Sequence, residues 1–248
     1  MNFRLAKQII YGAGYLTALF LIVFIVYLAR FKPAPTCFDN RQNQGELGVD
    51  CGGPCLSCEI RTLKPLEYSW LKILPAQDQT IVAAEIKNLN PGWGASFFSY
   101  SIDIYGDGGK KIKTIKRDSF IYAGEIKYLI ELAEINPKNT REVKISFSDF
   151  NWKSDEKFKK PIIQTREVKI EESAIIGFLT NNNVFKLPKV KAIGLLYDQY
   201  GFLIAASKTE LENIGAFEEK FFKINFPKDT PWLNINVGKT KIYVEAIK

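Results

Sequence analysis

The sequence predicts a mainly β protein: an N-terminal transmembrane helix, a small disulfide-stapled segment and two tandem antiparallel β-sandwiches. Three observations carry this expectation. A charge-free apolar run extends from Ile9 to Ala29, and all four cysteines fall between Cys37 and Cys58. From Leu66 onward, apolar and polar residues alternate and turn residues recur at short spacing. The expected boundaries are 1–32 for the anchor, 33–62 for the cysteine-rich segment, 63–155 for the first sandwich and 156–248 for the second.

The first element is IIYGAGYLTALFLIVFIVYLA, Ile9–Ala29. At 1.5 Å per residue a helix of this length reaches about 31 Å, enough to cross a hydrocarbon core. Arg30 and Lys32 close it, and Pro33 and Pro35 forbid a helical exit. The competing reading is a cleaved signal peptide, whose apolar region runs to only about 7–15 residues before a small-x-small site. This span is longer, and Ala29-Arg30-Phe31 is a poor cleavage site. Ala34-Pro35-Thr36 before Cys37 is a poor lipobox. The expectation is an uncleaved, single-pass anchor in the cell membrane. Arg4, Lys7 and the α-amino group favour a cytoplasmic N-terminus only slightly over Arg30 and Lys32. Clustered cysteines beside a Pro/Gly-rich loop suit an oxidising compartment, so the body is expected outside the cytoplasm. Gly12 and Gly14 do not form a G-x-x-x-G face for helix pairing.

The chain contains no histidine. Ser-His-Asp and Cys-His catalysis, histidine metal ligation and histidine pH switching are thereby excluded. The net charge is +7, but four of the 34 basic residues flank the apolar span, leaving 30 against 27 acidic ones. No arginine-rich stripe or nucleic-acid motif stands out, so no nucleic-acid partner is expected.

The cysteine spacing is Cys-x13-Cys-x3-Cys-x2-Cys. Four-thiolate zinc sites use two short knuckles separated by a long gap, whereas here one cysteine stands alone. A redox Cys55-Leu56-Ser57-Cys58 would need a βαβ context that the surroundings lack. Two structural disulfides among Cys37, Cys51, Cys55 and Cys58 are the expected arrangement. A Cys55–Cys58 bond closes a very short loop; pairings that close longer loops, such as Cys37–Cys55 with Cys51–Cys58, remove more unfolded-state entropy, and the choice among them stays open. The same stretch offers oxygen ligands, and Asp39, Asn43, Glu46 and Asp50 are candidates for calcium among glycine turns. The competing reading makes them turn-forming caps. This stretch, C-x-D-N-x-x-N-x-x-E-x-x-x-D-C-G-G-x-C-x-x-C, resembles a short cysteine-rich repeat of extracellular bacterial proteins that has glycine where Asn40 stands. The resemblance implies a surface-exposed segment and no particular chemistry.

In the body, Phe98, Tyr100, Ile102 and Ile104 alternate with Ser99, Ser101 and Asp103, and Val143, Ile145 and Phe147 alternate with polar neighbours. TKIYVEAIK alternates as well. A short helical turn is expected around Ser207–Ile214. Asn88, Tyr105 and Gly109 recur as Asn182, Tyr197 and Gly201, about 92 to 94 residues later. Each copy is near the size of an immunoglobulin-like sandwich, and Lys153–Pro161 reads as the linker. The second copy, from about residue 165, carries a Gly-x-x-x-Asn strand, an Asn-rich turn, and Leu196-Tyr197-Asp198 followed by a glycine turn. It resembles the bacterial FxLYD-type domain, with Gly194 or Leu195 where the name has phenylalanine. That resemblance implies an immunoglobulin-like sandwich outside the membrane and no catalytic role.

Trp70, Trp93, Trp152 and Trp232 could stack on carbohydrate, with core packing as the competing reading. Asp198 is expected to cap its turn. Glu171-Glu172 and Glu218-Glu219 are adjacent on strands and point to opposite faces, so neither pair forms a glycosidase dyad. Ser57, Ser99 and Ser173 have no histidine to activate them. The functional expectation is a non-catalytic binding or scaffolding protein displayed outside the cytoplasm, with a protein or envelope partner and no cofactor unless calcium. The alternatives are a structural spacer of an envelope assembly and, third, a carbohydrate-binding or enzymatic module.

Overall fold

The computed structural model describes residues 3–30, 36–171 and 173–247. The chain divides into two compact units, Met1–Leu63 and Lys64–Lys248. In the first unit, α1 spans Phe3–Arg30, and its segment Ala6–Leu28 is long and apolar enough to cross a membrane. Inside the span the Thr17 hydroxyl donates to the Ala13 carbonyl at 2.9 Å, which satisfies it within the helix. Lys32, Pro33 and Pro35, which close the span in the sequence, lie outside the described residues, as do Glu172 and Lys248. The cysteine segment holds two disulfides, Cys37–Cys55 and Cys51–Cys58.

The second unit contains twelve strands among the described residues: β1 (Glu67–Ala76), β2 (Gln79–Lys87), β3 (Trp93–Tyr105), β4 (Lys111–Ile121), β5 (Ile126–Ala133), β6 (Glu142–Ser154), β7 (Ile163–Glu171), β8 (Ala174–Asn181), β9 (Leu187–Tyr197), β10 (Leu203–Ile214), β11 (Glu219–Asn225) and β12 (Lys241–Ile247). They form four antiparallel sheets, ordered β1-β2-β5, β4-β3-β6, β11-β8-β7 and β10-β9-β12. Six strands therefore repeat as six strands in the same order. The segment Ser207–Ile214, expected as a helical turn, is instead part of β10. Its alternation of exposed and less exposed residues is that of a half-buried strand, and it pairs with β9 along its whole length.

The repeat is sharper in hydrogen bonds than in sequence. Asn88 Oδ1 accepts from the Asn90 backbone and side-chain N–H groups, both at 3.0 Å, while its Nδ2 donates to the Trp93 and Tyr122 carbonyls. Asn181 Oδ1 accepts from Asn183 in the same way, at 3.1 and 2.8 Å, and its Nδ2 donates to the Phe185, Ile214 and Gly215 carbonyls. The second asparagine of each pair then exchanges two hydrogen bonds with the residue that leads into its sandwich, Lys64 or Ile162. Asn88 thus corresponds to Asn181, and the match to Asn182 is a correction of one residue. Asn182 is exposed and carries none of this network.

Each sandwich has its own core. Val82, Ala84, Ile86, Phe98, Ile102 and Leu129 belong to the first, and Ile175, Leu179, Val190, Ala192, Leu196 and Phe222 to the second. Gly194 faces this second core at a point of close approach. A Cβ there would lie 2.9 Å from both Ile175 Cδ1 and Phe226 Cζ, so a larger side chain has no room at this position. A third core joins the two. Leu74, Ile81, Ala83, Tyr128 and Ile130 of sheet β1-β2-β5 meet Ile193, Leu195, Leu203 and Ala206 of sheet β10-β9-β12. β2 and β9 are consequently buried on both faces, with successive side chains serving different cores.

The charged segment Lys153–Pro161 connects the sandwiches but is not a free linker. It begins as the last residues of β6, and the Phe158 ring stacks on Tyr122 at 4.5 Å and meets Phe120 edge-on.

Candidate functional site

Two regions carry the chemistry: the cysteine segment and the loop end of the second sandwich. In the cysteine segment, the oxygens nominated for calcium are engaged by N–H donors. The Asp50 carboxylate accepts from the backbone of Asp39 and Asn40, at 2.9 and 3.0 Å. Asp39 accepts from Asn43 Nδ2 at 2.8 Å and from the Arg41 backbone at 2.9 Å, and the Asn43 bond above all holds its carboxyl below the ordinary value. Glu46 is buried, and its Oε2 accepts from the backbone of Asn43 and Asp50. Glu46 Oε1 lies 3.0 Å from Cys55 Sγ, a bonded sulfur with no hydrogen to donate. Cys37, Glu46 and Cys55 cluster closely, yet the two sulfurs are bonded to each other and offer no thiolate. Within this segment, Asn43 Oδ1 is buried and has no partner among the described residues. Left-handed backbone at Asn40, Gln44, Gly45, Asp50 and Gly53 wraps the chain around these carboxylates. At Gly53 a Cβ would come within 2.2 Å of the Gly45 carbonyl oxygen, so glycine is required there.

The loop end of the second sandwich is built from the turn after β9 and the segment before β12. Asp198 Oδ1 accepts from the backbone of Tyr200 and Phe202, at 2.9 and 2.8 Å, which is the capping role the sequence predicts. Asn236 donates its backbone N–H to the Tyr197 carbonyl at 2.8 Å, Asp198 forms a bridge with Ile235, and Lys239 Nζ donates to the Gln199 carbonyl at 2.9 Å. The two loops are thereby held side by side. On them Tyr200, Phe202, Leu233 and Val237 are 75%, 64%, 102% and 68% exposed. An open cleft of about 550 Å³ runs between the loops, lined by Tyr200, Leu233, Ile235 and Val237 among others.

No family model matches the chain, and no curated protein matches it in sequence. Among solved structures, the red sea bream transglutaminase aligns with 75% of the chain at 9% identity and a TM-score of 0.23. The chain spans 32% of that protein's length. Similarity at this level carries no argument about fold or chemistry.

A polar seam runs beside the third core. Lys127 and Glu245, both buried, are in direct contact, and the Lys127 ammonium sits 3.8 Å over the Phe120 ring. Lys191 approaches Glu245 to 3.0 Å, and Lys208 approaches Glu131 to 3.1 Å. Tyr100 donates to Glu131 at 3.0 Å, Tyr122 donates to the Ala246 carbonyl at 2.6 Å, and the Tyr243 hydroxyl donates to Glu125. Burial pulls the Lys127 ammonium pKa down while the Glu245 carboxylate works against that. Every charge named here has a partner of opposite sign, so the seam reads as structural. Sequence reasoning missed it. The available signal was Lys127 inside the apolar strand IKYLIELA, together with the unbroken apolar runs of β2 and β9.

The remaining candidates fall to packing. Trp70 lies against the third core, Trp152 stacks on Phe150 at 5.2 Å, and Trp232 meets Phe226 edge-on at 5.6 Å. Trp93 opens β3 and is half-buried. Glu218 Oε2 accepts from the Gly215 backbone at 2.5 Å, as Glu125 does from Tyr122, and Glu219 accepts from Thr180 and pairs with Arg166. Ser99 donates to Asp118.

Proposed function

We propose that this chain is a single-pass membrane protein whose N-terminus is cytoplasmic. It displays two immunoglobulin-like domains outside the cytoplasm as a non-catalytic binding or scaffolding body. The observation that carries this reading is the third core. It gives the chain one fused body behind one apolar helix, with oxidised cysteines between them, and disulfides belong to oxidising compartments. The strand orders β1-β2-β5 and β4-β3-β6 support an immunoglobulin-like arrangement that lacks its last strand. The end of β9 at Tyr197 and the Asp198 cap support membership of the second sandwich in the FxLYD-type family. A spacer gains length from domains strung apart, and the shared core is the observation that disfavours it.

Protease added to intact spheroplasts tests the reading. The body should be degraded while the helix stays in the alkali-resistant membrane fraction. Full protection of the body overturns the orientation, and release of the intact body from membranes overturns the anchor.

A further inference from the structure

We propose that the loop end of the second sandwich docks on the bilayer that holds the chain's own helix, placing Tyr200, Phe202, Leu233 and Val237 at the headgroup–acyl boundary. The inference rests on the reading of Ile9–Ala29 as a retained anchor. Large exposed side chains occur elsewhere on the body too, among them Ile162, Val184 and Phe217 around the asparagine turn of the second sandwich. Here four converge on two loops already fixed by backbone hydrogen bonds. Little ordering is then needed on contact.

The chemistry of the tip fits a membrane interface. A tyrosine and a phenylalanine stand beside two aliphatic side chains, with Lys239 in the same loops and Lys241 opening β12, its ammonium over the Tyr197 ring. Aromatic and basic residues with an apolar point favour the headgroup region of an anionic bilayer. The two acidic residues of these loops do not oppose this strongly. Asp198 is engaged by the Tyr200 and Phe202 backbone, and Asp229 accepts from the Gln77 backbone at 2.7 Å. Leu233 is fully exposed and projects; a fluid acyl layer, unlike a folded partner, needs no complementary shape to receive it.

The bilayer is also the apolar surface always within reach. Residues 31–63 tether the body to the helix, so the local concentration of lipid is set by the tether and not by diffusion.

The test uses the full chain reconstituted in phosphatidylcholine–phosphatidylglycerol vesicles that carry a photoreactive group on the lipid acyl chain. Crosslinked residues are mapped by mass spectrometry. The expected result is label in Ala6–Leu28 and, in addition, label within 198–202 and 231–240. Leu233→Asp with Val237→Asp should remove the tip label and leave the helix label unchanged, and Tyr200→Ser should weaken it. Circular dichroism confirms that each variant is folded. Label in the helix with none at the tip overturns docking and leaves the anchor intact. Absence of helix label overturns the anchor reading itself. Crosslinks from the tip to a second copy of the chain, in place of lipid, also overturn the proposal.

Discussion

At the scale of single residues, the asparagine pairs decide the most. Asn181 is fully buried, and its amide serves three carbonyls and two N–H groups. Replacing it by alanine strands buried polar groups, each of which costs about 1–3 kcal/mol. Asn181→Ala should therefore lower body stability by at least about 2 kcal/mol, whereas Asn182→Ala should stay within about 0.5 kcal/mol. Thermal melting of both variants checks this, and equal effects would show that the register of the repeat is wrong. The sequence displays three consecutive asparagines at 181–183, so an Asn-rich turn is legible. Which of them turns inward depends on the pleat of β8, which ends at Asn181. That is a matter of strand register, and one residue of slip exchanges the faces. Gly194 is visible in the sequence as a glycine inside a strand, but the need for it lies in Ile175 and Phe226, both distant along the chain.

At the scale of elements, the apolar helix and the cysteine segment were read from composition and spacing, because an apolar run and a disulfide cluster are local in sequence. The β10 error has a different origin. Ser207–Ile214, SKTELENI, has no strong apolar alternation of its own, and it is pairing with β9 that makes it a strand. The cysteine segment belongs to a compact unit separate from the body. A disulfide closing a loop of about 15 residues is worth about 3 kcal/mol, and that gain is confined to the unit it closes. Reduction should therefore leave the melting temperature of the body unchanged while the segment becomes sensitive to protease. Mass spectrometry of the unreduced chain should find no free thiol. The carboxylates of Asp39, Glu46 and Asp50 already accept N–H bonds, so millimolar calcium or a chelator should not alter proteolysis of the segment. A calcium-dependent change would assign these residues to a metal instead of to turns.

At the scale of the whole molecule, the third core and its polar seam should make the two sandwiches unfold together, and alkali should reveal it. Burial, more than any other cause, raises the phenol pKa of Tyr100, Tyr122, Tyr128 and Tyr243, with carboxylates such as Glu131, Glu125 and Glu85 adding to it. An unfolded tyrosine ionises near pH 10. Below that pH the phenols are protonated in both states and their contribution is fully present. Above it the unfolded chain loses protons that the folded chain keeps, and each such phenol costs about 1.4 kcal/mol of stability per pH unit. Lys127 acts in the opposite sense, since its pKa is lowered by burial and its desolvation cost is relieved in alkali, but it is one group against four. Stability should thus hold from neutral pH to about 10 and fall beyond it. The tyrosinate absorbance contributed by these four phenols, a later step than that of the exposed ones, should rise together with loss of the β-sheet dichroism. These tyrosines lie in the first sandwich and in β12 of the second. Early ionisation in one half, with the sheets of the other still intact, would mean that the third core does not couple them. A second measurement closes the argument. Glu245→Ala leaves Lys127 buried without its carboxylate and should cost about 3–5 kcal/mol. Because Lys127 belongs to β5 and Glu245 to β12, the calorimetric transition of the body should move down as a single peak, whereas two peaks would show that the sandwiches fold as separate domains.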